Sequence, residues 1–218
     1  MNILAIDTAG TYAGIALLQG DTIVAGGTDC ARSHADVCLD LLHDLLAKAA
    51  LTLNAIDCYA FSEGPGGYTG LRVGAGIIQG LSLVHPQPVI HIPTPAAYAY
   101  AFFKNRMDLD VLRLVMHAYG DQYYTSIHKR DTPGINAPLE DNPCQSEVPH
   151  DAIFNVYVGK SCSLTDDFSH CYDEQGTVLA SIVVQLANDA MKGRFDPMIQ
   201  TQACPSYLKK ASDWHRKV

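Results

Sequence analysis

The chain has 218 residues, 48% hydrophobic and 17% charged, enough to close a substantial core without a disulfide framework or a structural metal. Fifteen Lys and Arg against 23 Asp and Glu give a formal charge of −8, and the cations are scattered except near the C-terminus. Such a chain is poorly suited to gripping a polyphosphate backbone by itself, so any nucleic acid in its biology is expected to be held by a partner.

The seven cysteines are odd in number, widely spaced and without a C-x-x-C pair, as expected for reduced thiols. No basic segment precedes the apolar start, and no apolar run approaches the roughly 20 residues that cross a bilayer. A cytoplasmic protein with no membrane contact is expected.

In chain order, Ile3 to Ile6, Tyr12 to Leu18 and Thr22 to Gly26 are expected as three strands of an antiparallel meander, with Thr8, Gly10 and Thr11 turning the first hairpin. A helix begins at Ser33 or His34 and runs to about Ala50, with Asp36 and Lys48 matching the helix dipole. Its apolar positions include Val37, Leu41, Leu42, Leu45, Leu46 and Ala49, and Cys38 and Leu39 widen the stripe beyond what one core needs, which suggests a second contact surface. Ile56 to Ser62 is a strand, and Leu71 to Val84 a helix whose Gly70, Gly74, Ala75, Gly76 and Gly80 ask for close packing of another backbone.

Val89 to Ile92 and a helix over Ala96 to Phe103 follow. Leu112 to His117 and Gln122 to Lys129 form a hairpin, a Pro- and Asn-rich loop covers Asp131 to Pro149, Ala152 to Val158 is a strand and Val178 to Met191 a helix. Residues 193–218 are expected as a basic tail, whose Lys209, Lys210, Arg216 and Lys217 either touch nucleic acid in an assembly or form a solvated terminus.

Two stretches are candidates for chemistry. Asp7-Thr8-Ala9-Gly10-Thr11 places a carboxylate at a strand end beside a small-residue turn, which suits either a phosphate with its magnesium or an Asx-type turn. Glu63 to Arg72, E-G-P-G-G-Y-T-G-L-R, ends at a helix N-terminus and could meet an anion, but it lacks the Lys of a Walker loop. It serves equally as a tight turn delivering the glycine helix.

Arg72 is either an ion-pair partner of Glu63 or an interface anchor. No H-E-x-x-H, H-x-x-x-H or zinc-spaced His/Cys cluster is present, so no metal is expected. His34 and His117 are expected as capping or packing residues. Neither Ser62 nor Ser126 has a base evident in the sequence, and no catalytic residue is assigned.

Ile3 to Gly10 (I-L-A-I-D-T-A-G), Ser33-His34 opening a leucine helix, and Gly64 to Arg72 (G-P-G-G-Y-T-G-L-R) together resemble the TsaB family, also called YeaZ. The resemblance is strongest over about the first hundred residues. It extends to Pro88-Val89, Thr94-Pro95 and Pro205-x-Tyr207-Leu208. One departure is His117-Ala118-Tyr119, where the family carries D-A-R or a near variant.

The resemblance implies an α/β, actin-like (ASKHA), duplicated ribonuclease H-like fold: an N-terminal lobe over residues 1–100 and a smaller C-terminal lobe over 101–218. It implies a non-catalytic partner of the TsaD paralogue, which transfers threonylcarbamoyl to N6 of adenosine 37 in tRNA, with the ATPase TsaE docking on the pair. Homodimers would use the same surface. No cofactor is required, although a nucleotide could lie at the subunit interface, and Asp7, Thr8, Gly10 and Thr11 would be a vestigial phosphate loop.

The partner face would comprise His34, Val37, Cys38, Leu41, Leu42 and Leu45 of the first helix. The second would add Gly70, Arg72, Val73, Gly74, Ile77, Gly80 and Leu81. The alternative is an ATPase or small-molecule kinase of the same superfamily.

Overall fold

The computed structural model describes residues 1–29, 34–118, 123–130, 153–158, 171–172, 176–194 and 198–205. The first strand, β1 (Asn2–Asp7), is apolar at consecutive positions because both its faces are covered: Leu4 and Ile6 enter one core, Ile3 and Ala5 the other. β2 (Tyr12–Gln19) and β3 (Thr22–Asp29) fold back antiparallel beside it. β3 continues past Gly26, where a strand end was expected. Gly26 and Gly27 pair with Ile15 and Gly14, and Leu41 packs over Gly26.

α1 (His34–Lys48) covers β2 and β3. A 3-10 turn at Leu53–Ala55 leads to β4 (Cys58–Gly64), which lies parallel to β1. α2 (Tyr68–Val84) packs beside α1, then β5 (Val89–Pro93) runs parallel to β4 and passes into α3 (Thr94–Asn105), with Pro95 in its first turn. The second sheet holds β6 (Val111–His117), β7 (Tyr123–Lys129), β8 (Phe154–Val158) and β9 (Cys171–Tyr172). α4 (Gly176–Met191) and β10 (Met198–Gln200) complete the described elements.

The six-stranded sheet has the order β10-β5-β4-β1-β2-β3, and the four-stranded sheet the order β7-β6-β8-β9. The second repeats the first in shorter form. β6 and β7 make the antiparallel hairpin, and β8 and β9 add in parallel as β4 and β5 do, while no described strand lies beyond β7. This is a duplicated, actin-like, ribonuclease H-like α/β fold with a reduced second lobe.

One core lies under α1 and α2; the other joins the opposite face of the first sheet to α3, α4 and the second sheet. A division at residue 100 falls inside α3, and α4 and β10 both return to the first sheet, so the lobes share chain. Part of the expected basic tail is therefore an edge strand. Arg130 closes the C-terminal end of α3: its guanidinium donates to the carbonyls of Phe103, Arg106 and Leu109 and lies 5.1 Å from the Phe103 ring centroid. Among the described residues no helix is long and apolar enough to cross a membrane.

Candidate functional site

The loops after β1 and β4 meet at the carboxyl end of the first sheet. Asp7 and Thr8 are each only 2% exposed, whereas Gly10 is half-buried and Thr11 exposed. Asp7 Oδ1 accepts the Ala9 N–H at 3.4 Å, a weak local turn contact, and the Thr8 hydroxyl donates to the Gly70 carbonyl at 2.7 Å. The Gly67 N–H donates to the Ala9 carbonyl at 2.7 Å. A Cβ on Gly66 would come within 2.5 Å of that same oxygen.

The two loops are thus stitched to each other, with Gly67 as the residue before the first turn of α2. That contact starts the helix at Tyr68, three residues before the expected Leu71. The Gly67 amide and the Thr8 hydroxyl, two groups that an anion would use, already have partners.

The expected partner residues divide into two sets. Cys38, Leu42 and Leu45 are 0%, 6% and 2% exposed and fill the core beneath α1, and Gly70 and Gly74 are buried in α2. They belong to the chain's own packing, which corrects their placement on a partner face. A Cβ on Gly74 would lie 2.5 Å from Thr8 Oγ1, so the close packing its helix needs is against β1's own loop.

Val37, Leu41, Val73, Ile77 and Leu81 are half-buried, and Arg72 is exposed with its guanidinium 4.3 Å over the Tyr68 ring. Gly76 and Gly80 are exposed with nothing within 4 Å of a built Cβ. Beyond them Leu83 and Val84 are 87% and 77% exposed, and on α1 Leu39 is 53% exposed. Leu83, Val84 and Tyr68 are exposed side chains that the sequence does not single out, whereas Leu39 and Gly76 are among the residues it marks on their helices. His34 opens α1, but its side chain lies outside the described residues, as do Tyr119 and the cationic tail.

Glu63, 7% exposed, does not pair with Arg72. Its Oε2 lies 3.1 Å from Nδ1 of His91, whose Nε2 lies 3.0 Å from the Gln202 carbonyl. A carbonyl only accepts, so Nε2 carries a proton in this contact. The His91 ring also meets Phe61 edge-on, with centroids 4.7 Å apart. The alternation of β5 could have placed His91 on a buried face, but its strap partner is distant in sequence.

Ser126 has a neighbour that the sequence reading missed: its hydroxyl is 2.8 Å from His128 Nε2, on one face of β7 by the period-two rule. Both residues are buried, His128 Nδ1 has no hydrogen-bond partner among the described residues, and burial pushes the His128 pKa down to about 4. A sealed pair without a third group to orient the imidazole is a packing feature, not a nucleophile and base. Ser62 is also buried, with its hydroxyl unpartnered. Among the described residues no group of three His, Cys, Asp or Glu could hold a metal.

Residues 26–126 match the family model described as TsaD, tRNA N6-adenosine threonylcarbamoyltransferase. The chain is 34% identical over 135 residues to the tRNA threonylcarbamoyladenosine biosynthesis protein TsaB of Escherichia coli (strain K12), covering 62% of this chain and 58% of that one. It is 33% identical over 127 residues to the same-named protein of Haemophilus influenzae, covering 58% and 54%. The matched stretch thus spans less than two thirds of either relative. Among solved structures, YeaZ from Pseudomonas aeruginosa superposes with a TM-score of 0.73 at 24% identity, covering 94% of this chain and 99% of that one. A second Pseudomonas aeruginosa structure, described as similar to peptidase YEAZ, gives 0.75, also at 24% identity, covering 95% and 99%.

Proposed function

We propose that this chain is a TsaB (YeaZ)-type protein, a non-catalytic partner subunit in the formation of threonylcarbamoyladenosine in tRNA, docking a catalytic TsaD-type paralogue through the outer faces of α1 and α2; its likeness to the TsaB relatives and to the TsaD model supports this reading. The observation that carries this is the outer face of α2. Gly76 and Gly80 open a shallow groove there, flanked by the exposed Leu83 and Val84. Interior helix glycines destabilise an isolated chain by about 0.5–1 kcal/mol each, and a second backbone packing into the groove supplies the compensation. The match of residues 26–126 to the TsaD model supports a like-with-like arrangement, since two similar lobes can meet across an approximate two-fold axis. Self-association through the same face is the expected competitor.

The stitched loops support an activating role over a catalytic one: the Thr8 hydroxyl and the Gly67 amide are engaged within the chain. No cofactor of its own is invoked. The nucleotide that the reaction consumes would belong to the paralogue or the boundary with it, and the TsaE-type ATPase and tRNA would join through the complex. The proposed site of action, with such a tRNA substrate, is the cytoplasm.

The test is threonylcarbamoyl transfer to tRNA by the cognate paralogue, with the ATPase and threonylcarbamoyl-adenylate supplied, with and without this chain. Transfer that requires the chain, while the chain alone hydrolyses no ATP, is expected. Unchanged transfer together with ATP turnover by the chain would favour the kinase-like reading instead. Gly80→Leu and Leu83→Glu should each weaken paralogue binding by about tenfold or more while the chain stays folded, because neither position contributes to its core.

A further inference from the structure

We propose that the buried Glu63 and His91 pair is a positioning latch that couples the C-terminal strap, residues 198–205, to the glycine loop and to α2, so that the strap sets the geometry of the docking face. The strap is held in three ways. Met198–Gln200 pairs with β5, with Met198 opposite His91. The Gln202 carbonyl faces His91 Nε2 at 3.0 Å. Ala203, 0% exposed, enters the core under α2 and its carbonyl accepts from the Gln79 side-chain amide at 2.5 Å.

These tethers end on the docking elements. Glu63 is the residue before Gly64, so the carboxylate that orients His91 also stands at the root of the loop that starts α2. Gln79 is exposed and precedes Gly80 of the groove. Thr201, Gln202 and Cys204 of the strap are exposed, which makes the strap a rim beside that helix.

His91 lies between the Glu63 carboxyl and the Gln202 carbonyl and is only 1% exposed, so loss of the Glu63 carboxyl strands Nδ1 in a water-excluded site and frees the ring to turn from Gln202. An amide in place of that carboxyl can donate to Nδ1 while Nε2 keeps its proton on Gln202. The conservative variant therefore preserves the latch, and the truncation breaks it.

The consequence for partner binding rests on the docking face proposed above. The experiment is amide hydrogen exchange on the full chain carrying Glu63→Ala or Glu63→Gln, with paralogue affinity measured in parallel. Glu63→Ala should speed exchange about tenfold or more both at 199–203 and at 71–74 of α2, and weaken paralogue binding by about tenfold; Glu63→Gln should stay within about threefold of the parent in all three. Faster exchange at the strap with α2 unchanged, or equal damage by both substitutions, would overturn the coupling. Coupled exchange with unaltered affinity would uphold the latch and count instead against the docking face. Should Glu63→Ala fail to fold, His91→Gln gives the same exchange readout, and its refusal to speed both segments would refute the proposal.

Discussion

A methyl group added at Gly74 tests whether α2 is packed as described. The built Cβ comes 2.5 Å from Thr8 Oγ1, a distance real contacts do not show, and that oxygen is already committed to the Gly70 carbonyl at 2.7 Å. Gly74→Ala gains about 0.5–1 kcal/mol from reduced unfolded-chain entropy. Against this stand an overpacking cost of about 1–3 kcal/mol and about 1–3 kcal/mol for a buried hydroxyl losing its partner. The net expectation is a loss of about 2–4 kcal/mol, a large part of an ordinary domain's stability of about 5–15 kcal/mol. In urea the midpoint should fall by about 1 M.

Gly80→Ala, on the same helix with nothing within 4 Å, should move the midpoint the other way by the propensity gain alone. In a Thr8→Ala background the Gly74→Ala loss should shrink by at least about 1 kcal/mol. A Gly74→Ala chain as stable as its parent, or a loss unchanged when Thr8 is truncated, would refute the packing argument.

Acid should weaken the inter-lobe core through His128. Burial lowers its folded-state pKa from 6.5 to about 4, so the contribution is fully present above pH 6.5 and is lost as pH falls from there towards 4. The loss should reach about 3 kcal/mol, and the parent minus His128→Gln difference in urea stability at pH 7.5 and pH 4.5 should carry most of it. Arg130→Ala removes the guanidinium that binds the Phe103, Arg106 and Leu109 carbonyls in and just after the last turn of α3 and should lower stability by about 1–3 kcal/mol, with faster amide exchange confined first to 102–106 and 128–130. Among Cys38, Cys58 and Cys204, a thiol reagent on the native chain should modify only the exposed Cys204, since the other two are buried and burial holds the Cys58 thiol near 12.

The first lobe was legible because its strands and helices carry strong local signals. β1, β2 and β4 are apolar runs bounded by turn formers, and Gly64 to Arg72 is a distinctive loop ahead of a helix. The division of α2 into two faces was available but not taken. At 100° per residue, Gly74 and Gly76 are about 200° apart and cannot serve one packing surface. Which of them faces inward depends on the sheet, through Thr8 and Ile6 against Gly74.

The breadth of the apolar stripe on α1 came partly from the thickness of its own core: Cys38, Leu42 and Leu45 point inward and Leu39 outward. Gln202 and β10, the partners of His91 and β5, had no local signature, because a three-residue edge strand between polar neighbours is defined by the strand it joins. The Ser126 and His128 pair was hidden differently. Period two set them on one face, but only the second core shows that this face is closed.

The shared chain between the lobes has a consequence in time. β5 ends at Pro93 and β10 begins at Met198, so 105 positions separate neighbouring strands of one sheet. At synthesis rates of about 5–20 residues per second, the sheet waits roughly 5 to 20 s for its edge, and nearly as long for α4 to cover β1, β2 and β3. During that interval Ile3, Ala5, Ala16 and Leu18 face water on the nascent chain. The surface most in need of protection as the protein leaves the ribosome is therefore this inner face, which is hidden once α4 has docked.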